Sequence, residues 1–231
     1  MLPNTPLHSS ARRRHLHSLR GRVGLWLVAG LSVLAGMTDA IGLLATGDFV
    51  SFMSGNTTRL AVALGDGDLP GVLRLSLAVL CFVLGNAAGV ILARWFQHRA
   101  APLLGVVTAL LLFAGFYPQP EVGFVAAILA MGMLNAVVEQ VNGLPIGLTY
   151  VTGALSRFGR GLGRWLLGER PQGWRVQLVP WTGMLIGAAL GAFIEQRLGL
   201  AAMAVAAGLA SILALAALFI PHRWQRTFMP R

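Results

Sequence analysis

Residues 75–93 read LSLAVLCFVLGNAAGVILA, and none of them carries a formal charge. The stretches 176–194 and 198–221 are likewise free of Asp, Glu, Lys and Arg. A helix needs about 20 predominantly apolar residues to cross ~30 Å of hydrocarbon, and each stretch reaches that length. Only 11% of the chain is charged and 56% is hydrophobic, with a mean hydropathy of +0.71. Soluble domains carry about 25% charged residues, so an ordinary globular protein is excluded. The expected fold is all-α, a polytopic transmembrane helical bundle.

The 231 residues hold 18 basic side chains, all arginine, against 8 acids, a net charge of +10. In a soluble chain that balance would suggest nucleic acid. Here the arginines cluster at segment ends, where they orient helices and meet anionic headgroups, so nucleic acid is not an expected partner. Cys81 is the single cysteine and forms no intrachain disulfide. Residues 1–22 are basic, but the apolar run that follows outlasts a signal-peptide core and offers no clear cleavage site. They read as a retained cytoplasmic tail.

The sequence repeats itself. GMTDA at 36–40 matches GMLNA at 132–136, and MSGNTTR at 53–59 matches VTGALSR at 151–157. GNAAG at 85–89 matches GMLIG at 183–187, and Arg99 with an apolar run to Pro118 matches Arg197 with a run to Pro221. Four matches in order, at offsets near 98, mark two copies of one unit. The units occupy 23–118 and 119–221, between the tails 1–22 and 222–231. Full spans are expected near 24–46, 71–93, 100–117, 122–141, 176–195 and 198–220, with two shorter pieces at 49–64 and 147–163.

If the short pieces do not cross, Arg94, Arg99, Arg157 through Arg175 and the C-terminal arginines share one side with the N-terminus. The acidic GDGD at 65–68 then lies on the other side. The positive-inside rule favours this six-span arrangement over eight, with both termini cytoplasmic. A three-span unit inverts its second copy. Inverted repeats with paired, glycine-interrupted segments are a common transporter plan, with the solute between the repeats.

The two short pieces are therefore the expected site. TGDFVSFMSGN would enter as extended chain and NTTRLAVAL would return as a half-helix. Ser54, Asn56, Thr57 and Thr58 are suited to capping such a break, and Gly55 to its turn. Thr152 and Gly153 would act likewise from the other side. Two inward helix N-termini favour an anionic or strongly dipolar solute. The plainer alternative is a short tilted span whose hydroxyls bond back to their own helix.

Asp39 lies within the first helix among apolar neighbours, and its repeat mate is Asn135. A buried intramembrane carboxylate can exchange a proton or hold a cation, or it can tie one helix to the next segment. Glu139, one turn beyond Asn135, reads as a structural or topological acid. Arg59 and Arg157 follow the two breaks and could clamp an anion, although Arg157 belongs to a basic run that reads as an orientation signal. The glycine pairs at 85/89 and 183/187/191 suit close helix packing. No zinc-ligand spacing, nucleophile–base set or nucleotide fingerprint is present, so neither metal, cofactor nor enzymatic activity is expected.

LAGMTDAIGLLATGDFVSFMSGNTTRLAVAL at 34–64, together with TYVTGALSRFGRGL at 149–162, resembles the YoaK-like bacterial membrane proteins over roughly 24–221. That family is classed under a domain of unknown function. The resemblance implies a multi-pass protein of the bacterial cytoplasmic membrane and names no substrate. Arg59 falls outside its motif pattern. The expected activity is that of a small secondary transporter or permease; the alternative is a non-transporting partner or assembly subunit with a transporter-like core. Expected partners are the lipid bilayer, a small polar or anionic solute with a coupling proton or cation, and a second copy of the chain as a homodimer.

Overall fold

The computed structural model describes residues 7–141, 144–145, 148 and 151–230, with side chains from Ser18 onward apart from those at 144 and 145. The Thr-Tyr pair at 149–150 and most of the entry to the second short segment lie outside the described residues. Nine helices follow one another among those described: α1 (Leu7–Thr46), α2 (Met53–Asp66), α3 (Leu69–Trp95), α4 (Ala100–Phe116), α5 (Pro120–Leu134), α6 (Val151–Leu166), α7 (Leu178–Leu198), α8 (Met203–Leu218) and α9 (His222–Phe228). Between α5 and α6, β1 (Gln140–Val141) pairs antiparallel with β2 (Leu144–Pro145), Val141 opposite Leu144.

Local chemistry sets the breaks. Gly47, at φ 80°, ends α1, and Gly67, at φ 72°, ends α2. The Asp68 N–H then bonds back to the Ala63 carbonyl at 2.9 Å, while the Asp68 carboxylate caps α3 by accepting from the Gly71 N–H at 3.1 Å. Such left-handed caps favour glycine because a side chain there meets the backbone. Gly199, at φ 55°, divides α7 from α8.

Three helical segments are long and apolar enough to cross a membrane: 18–46, 69–95 and 174–218, the last comprising α7 and α8. Helices α4 and α5 are apolar but shorter. The expected span 122–141 stops as helix at Leu134. Beyond it, Val137, Val138 and Val141 are buried in non-helical chain and strand, a setting β-branched side chains accept more readily than helix.

α1 and α5 form the interior. α1 packs on α7 and α8, α5 packs on α3 and α4, and α4 meets α8. Leu31, Leu34 and Ile41 of α1, with Ile128, Met131 and Leu134 of α5, are fully buried. The outer helices show large apolar side chains outward, among them Leu73, Leu80 and Leu84 on α3 and Leu185, Ile186 and Phe193 on α7. Contiguous apolar surface on this scale needs a non-aqueous neighbour.

The two principal seams are built alike. A Cβ on Gly36 of α1 would run into the Met184 carbonyl and the Ala188 N–H of α7. A Cβ on Gly132 of α5 would meet the Phe82 carbonyl at 2.6 Å and the Asn86 nitrogen at 2.9 Å on α3. From the facing side, Gly187 and Gly191 lie against Val33 and Met37, as Gly85 and Gly89 lie against Leu129 and Met133. Packing therefore equates Gly85 with Gly187 and Gly89 with Gly191, one helical turn away from the expected match to 183 and 187. A glycine every fourth residue makes that slip easy, because each turn offers an equivalent register.

α6 differs from α2. Arg157, Arg160 and Arg164 mark its polar side, while Phe158 and Trp165 reach Trp174 with ring centroids 5.1 and 6.4 Å away. Gly161 is the point of closest approach to Trp174.

Candidate functional site

After Thr46 the chain reverses. Asp39, 4% exposed, accepts hydrogen bonds at Oδ1 from the backbone N–H groups of Val50 (2.8 Å) and Ser51 (2.7 Å). Its Oδ2 accepts from the Ser51 hydroxyl at 3.1 Å. Asp39 precedes the end of α1 by seven residues, so the chain returns about 10 Å along that helix before α2 begins.

Asn56, fully buried, holds the same reversal from inside α2. Its Nδ2 donates to the Phe49 carbonyl at 2.7 Å, and its Oδ1 accepts from the Phe49 N–H at 3.1 Å. One side-chain amide thus satisfies both backbone groups of a residue with no helical or strand partner. Phe49 and Phe52 pack edge to face at 5.2 Å, and Gly55 leaves room for both, since a Cβ there would meet Phe52 Cδ1 at 2.5 Å and Phe49 Cδ2 at 3.1 Å.

A charged cluster lies beside this network. Asp48 is fully buried, and its carboxylate is 2.8 Å from Arg74 Nε and 3.3 Å from Arg59 Nη2. Neither oxygen has a hydrogen bond of good alignment, so the contacts are ion pairs in the plain sense. Arg59 also donates to the Gly47 carbonyl. Arg74 in turn lines a cavity of about 770 Å³ at the end of the bundle that holds Thr46 and Pro120. Asp68 and Glu121 stand at its rim, and Leu77, Phe124 and Ile128 form its apolar walls.

Several expected roles move. Ser54, Thr57 and Thr58 are exposed and cap nothing; Thr57 and Thr58 donate back to Met53 and Ser54 carbonyls at 2.7 and 3.1 Å. The carboxylate nearest the start of α2 is Asp39, supplied by α1, which accepts from Val50 and Ser51 just ahead of that helix. Gly55 serves ring packing rather than the turn. Asn135, at the end of α5, donates to the Met131 carbonyl at 3.5 Å, and Thr152 is exposed in the first turn of α6, next to the half-buried Gly153. Arg157 donates to the buried Gln177 at 2.8 Å, while Glu139 is exposed, its N–H bonded to the Phe228 carbonyl at 2.7 Å. The cavity beside Arg74 is lined by neither 53–58, 151–156 nor Asp39.

Residues 27–216 match a family described as a protein of unknown function, DUF1275. The chain belongs to the DUF1275 family. It is 55% identical over 219 residues to the UPF0700 transmembrane protein RA0705 of Rhizobium meliloti (strain 1021), covering 94% of this chain and 96% of that one. No solved structure matches it. This DUF1275 member is thus a multi-pass transmembrane protein, and the reversal at 47–52 lies inside its matched region.

Sequence reasoning missed Asp48 and Arg74 in this DUF1275 chain. Asp48 follows a helix-ending glycine and looks like a solvated loop acid. Its partner lies 26 positions on, in another helix, and no local spacing links them.

Proposed function

We propose that this protein is a small secondary transporter or permease for a small polar or anionic solute. In this reading it has six full spans arranged as two inverted repeats, both termini on the cytoplasmic side of the bacterial inner membrane, a proton or cation as coupling ion, and no enzymatic step. The observation that carries it is the cavity beside Arg74. Its walls come from both halves, α1 and α3 from the first and α5 from the second, and Arg74 in that lining is held by the buried Asp48 of the chain reversal. An anion entering there competes with Asp48 for the guanidinium. Releasing Asp48 loosens 47–52, the segment that Asp39 holds two residues further on. The duplicated glycine seams support the repeat, because small residues let the helices of both halves approach closely in the same way.

Uptake of a panel of small inorganic and carboxylate anions into proteoliposomes tests this reading. Arg74→Gln is expected to reduce uptake at least about tenfold, as losing a charge-assisted contact does. Arg160→Gln, on the exposed side of α6, should leave it unchanged. Equal uptake by both variants would remove the cavity from the pathway.

One observation favours a second reading, a non-transporting membrane partner: the polar atoms of Asp39 and Asn56 are spent on the protein's own backbone. No uptake of any anion, together with a protein that co-purifies in fixed ratio, would support it.

The six-span topology predicts that Asp66→Cys and Gln97→Cys, each in a Cys81→Ser background, label from opposite sides of the membrane. Asp66→Cys should react from outside and Gln97→Cys from inside. An eight-span chain reverses both.

A further inference from the structure

At the end of the bundle opposite the Arg74 cavity, α9 is fastened with unusual care. Gln225, 5% exposed, accepts from the Ala100 N–H at 2.7 Å and donates to the Ala217 and Ile220 carbonyls at 3.0 and 2.7 Å. One amide thereby joins the start of α4, the end of α8 and α9. Phe228 and Met229 are each 1% exposed, and Trp224 packs partly buried against the same core. This anchoring turns Arg223 and Arg226, three residues apart on one helix face, toward the end of α3.

What they face is also basic. Among the described residues, Arg94, His98, Arg223, Arg226 and Thr227 line one open cavity of about 640 Å³, and none of these five is acidic. The opposing wall is a strained turn: Gln97 and His98 both adopt positive φ, 54° and 61°, although neither is glycine. Non-glycine residues enter that region at an energetic cost, and here the His222 ring nitrogen, 2.6 Å from the Gln97 carbonyl, helps hold it. Orienting helices across a membrane requires arginines on one side; it does not require three of them from two elements to converge on one cavity. A cleft lined by one sign of charge gathers ions of the other.

We propose that this cavity binds a phosphate group. Guanidinium forks match phosphate oxygens in pairs, and three of them surround a tetrahedral anion better than a planar carboxylate. Trp95 and Trp224 lie at the same end, the placement of residues at a membrane–water boundary. Basic pockets between helices at that level take phospholipid headgroups. The phosphate comes either from an anionic lipid or from a free ion, and the test separates them. The site does not depend on the transport reading.

The test uses full-length protein in detergent, titrated with short-chain phosphatidylglycerol, short-chain phosphatidylcholine and inorganic phosphate, with tryptophan fluorescence and native mass spectrometry as readouts. Phosphatidylglycerol is expected to bind more tightly than phosphatidylcholine. Each arginine removed from the cavity should weaken it about fivefold, so Arg223→Gln/Arg226→Gln loses about twenty-five-fold. Arg160→Gln/Arg164→Gln, on α6, should match the unsubstituted protein. Competition by inorganic phosphate assigns the site to the free ion; binding that survives phosphate assigns it to the lipid headgroup. If the double variant does not fold, Arg226→Gln alone and the lipid preference of the unsubstituted protein decide. Equal affinity for both lipids with no phosphate binding, or a cavity variant that binds as tightly as the α6 control, overturns the proposal.

Discussion

Asp39→Ala is expected to lower the thermal midpoint of the purified protein by about 10 °C, a loss of roughly 4 kcal/mol. Three donors converge on this carboxylate: the N–H groups of Val50 and Ser51 and the Ser51 hydroxyl. Each orphaned buried donor costs about 1–3 kcal/mol, because neither lipid nor packed side chains replace the lost acceptor. Asp39→Asn keeps an oxygen for the two N–H groups, and its amide can donate to the Ser51 hydroxyl. It should lose about 1–2 kcal/mol, the charge-assisted share. The pair separates two roles. If Asp39 only fastens the reversal, Asn preserves both stability and any transport. If it also moves a proton or cation, Asn preserves stability and stops transport. A midpoint for Asp39→Ala equal to that of the unsubstituted protein would mean that the reversal is held elsewhere.

Gly187→Ala and Gly36→Ala should each cost about 3 kcal/mol, at the upper end of overpacking penalties. The added methyl would collide with the Val33 carbonyl in one case and the Met184 carbonyl in the other. Neither helix backbone can turn aside as a flexible side chain would. Gly89→Ala and Gly132→Ala meet Met133 and Phe82 backbone atoms at 2.9 and 2.6 Å and should behave alike, since the seams repeat. Gly105→Ala and Gly208→Ala, with nothing within 4 Å, should instead gain about 0.5–1 kcal/mol of helix propensity. Thermal midpoints in detergent across the six variants check this. Losses confined to one seam would show that the halves do not share a packing plan.

Much of the helix pattern was legible because lipid-facing segments announce themselves by the absence of charge, as at 75–93 and 198–221. The helix break after Thr46 was legible too, since glycine, serine and asparagine follow an apolar run there, although a plain tilted span was the other reading. Its fastening was less so. Hydroxyls at 54, 57 and 58 looked like caps, yet in a helix the carbonyl four residues back is always within reach, and that is where Thr57 and Thr58 turn. The fastening came from Asp39, on the preceding helix, which holds the chain just ahead of α2, and no local rule connects a residue in one helix to backbone eleven positions ahead. The early end of α5 had a visible sign. Asn-Gly at 142–143, flanked by apolar residues, is a strong hairpin dipeptide, and the pairing of Val141 with Leu144 brackets it.

In the transporter reading, the clasp made by Gln225 also bears on where the molecule opens. It joins α4 of the first half to α8 of the second at the end that carries Arg223 and Arg226. With that end fastened, a rotation of the halves such as the proposed transport requires would pivot there and have its widest arc at the far end, beside Pro120 and Thr46. A door hung in this way would swing at the mouth of the Arg74 cavity.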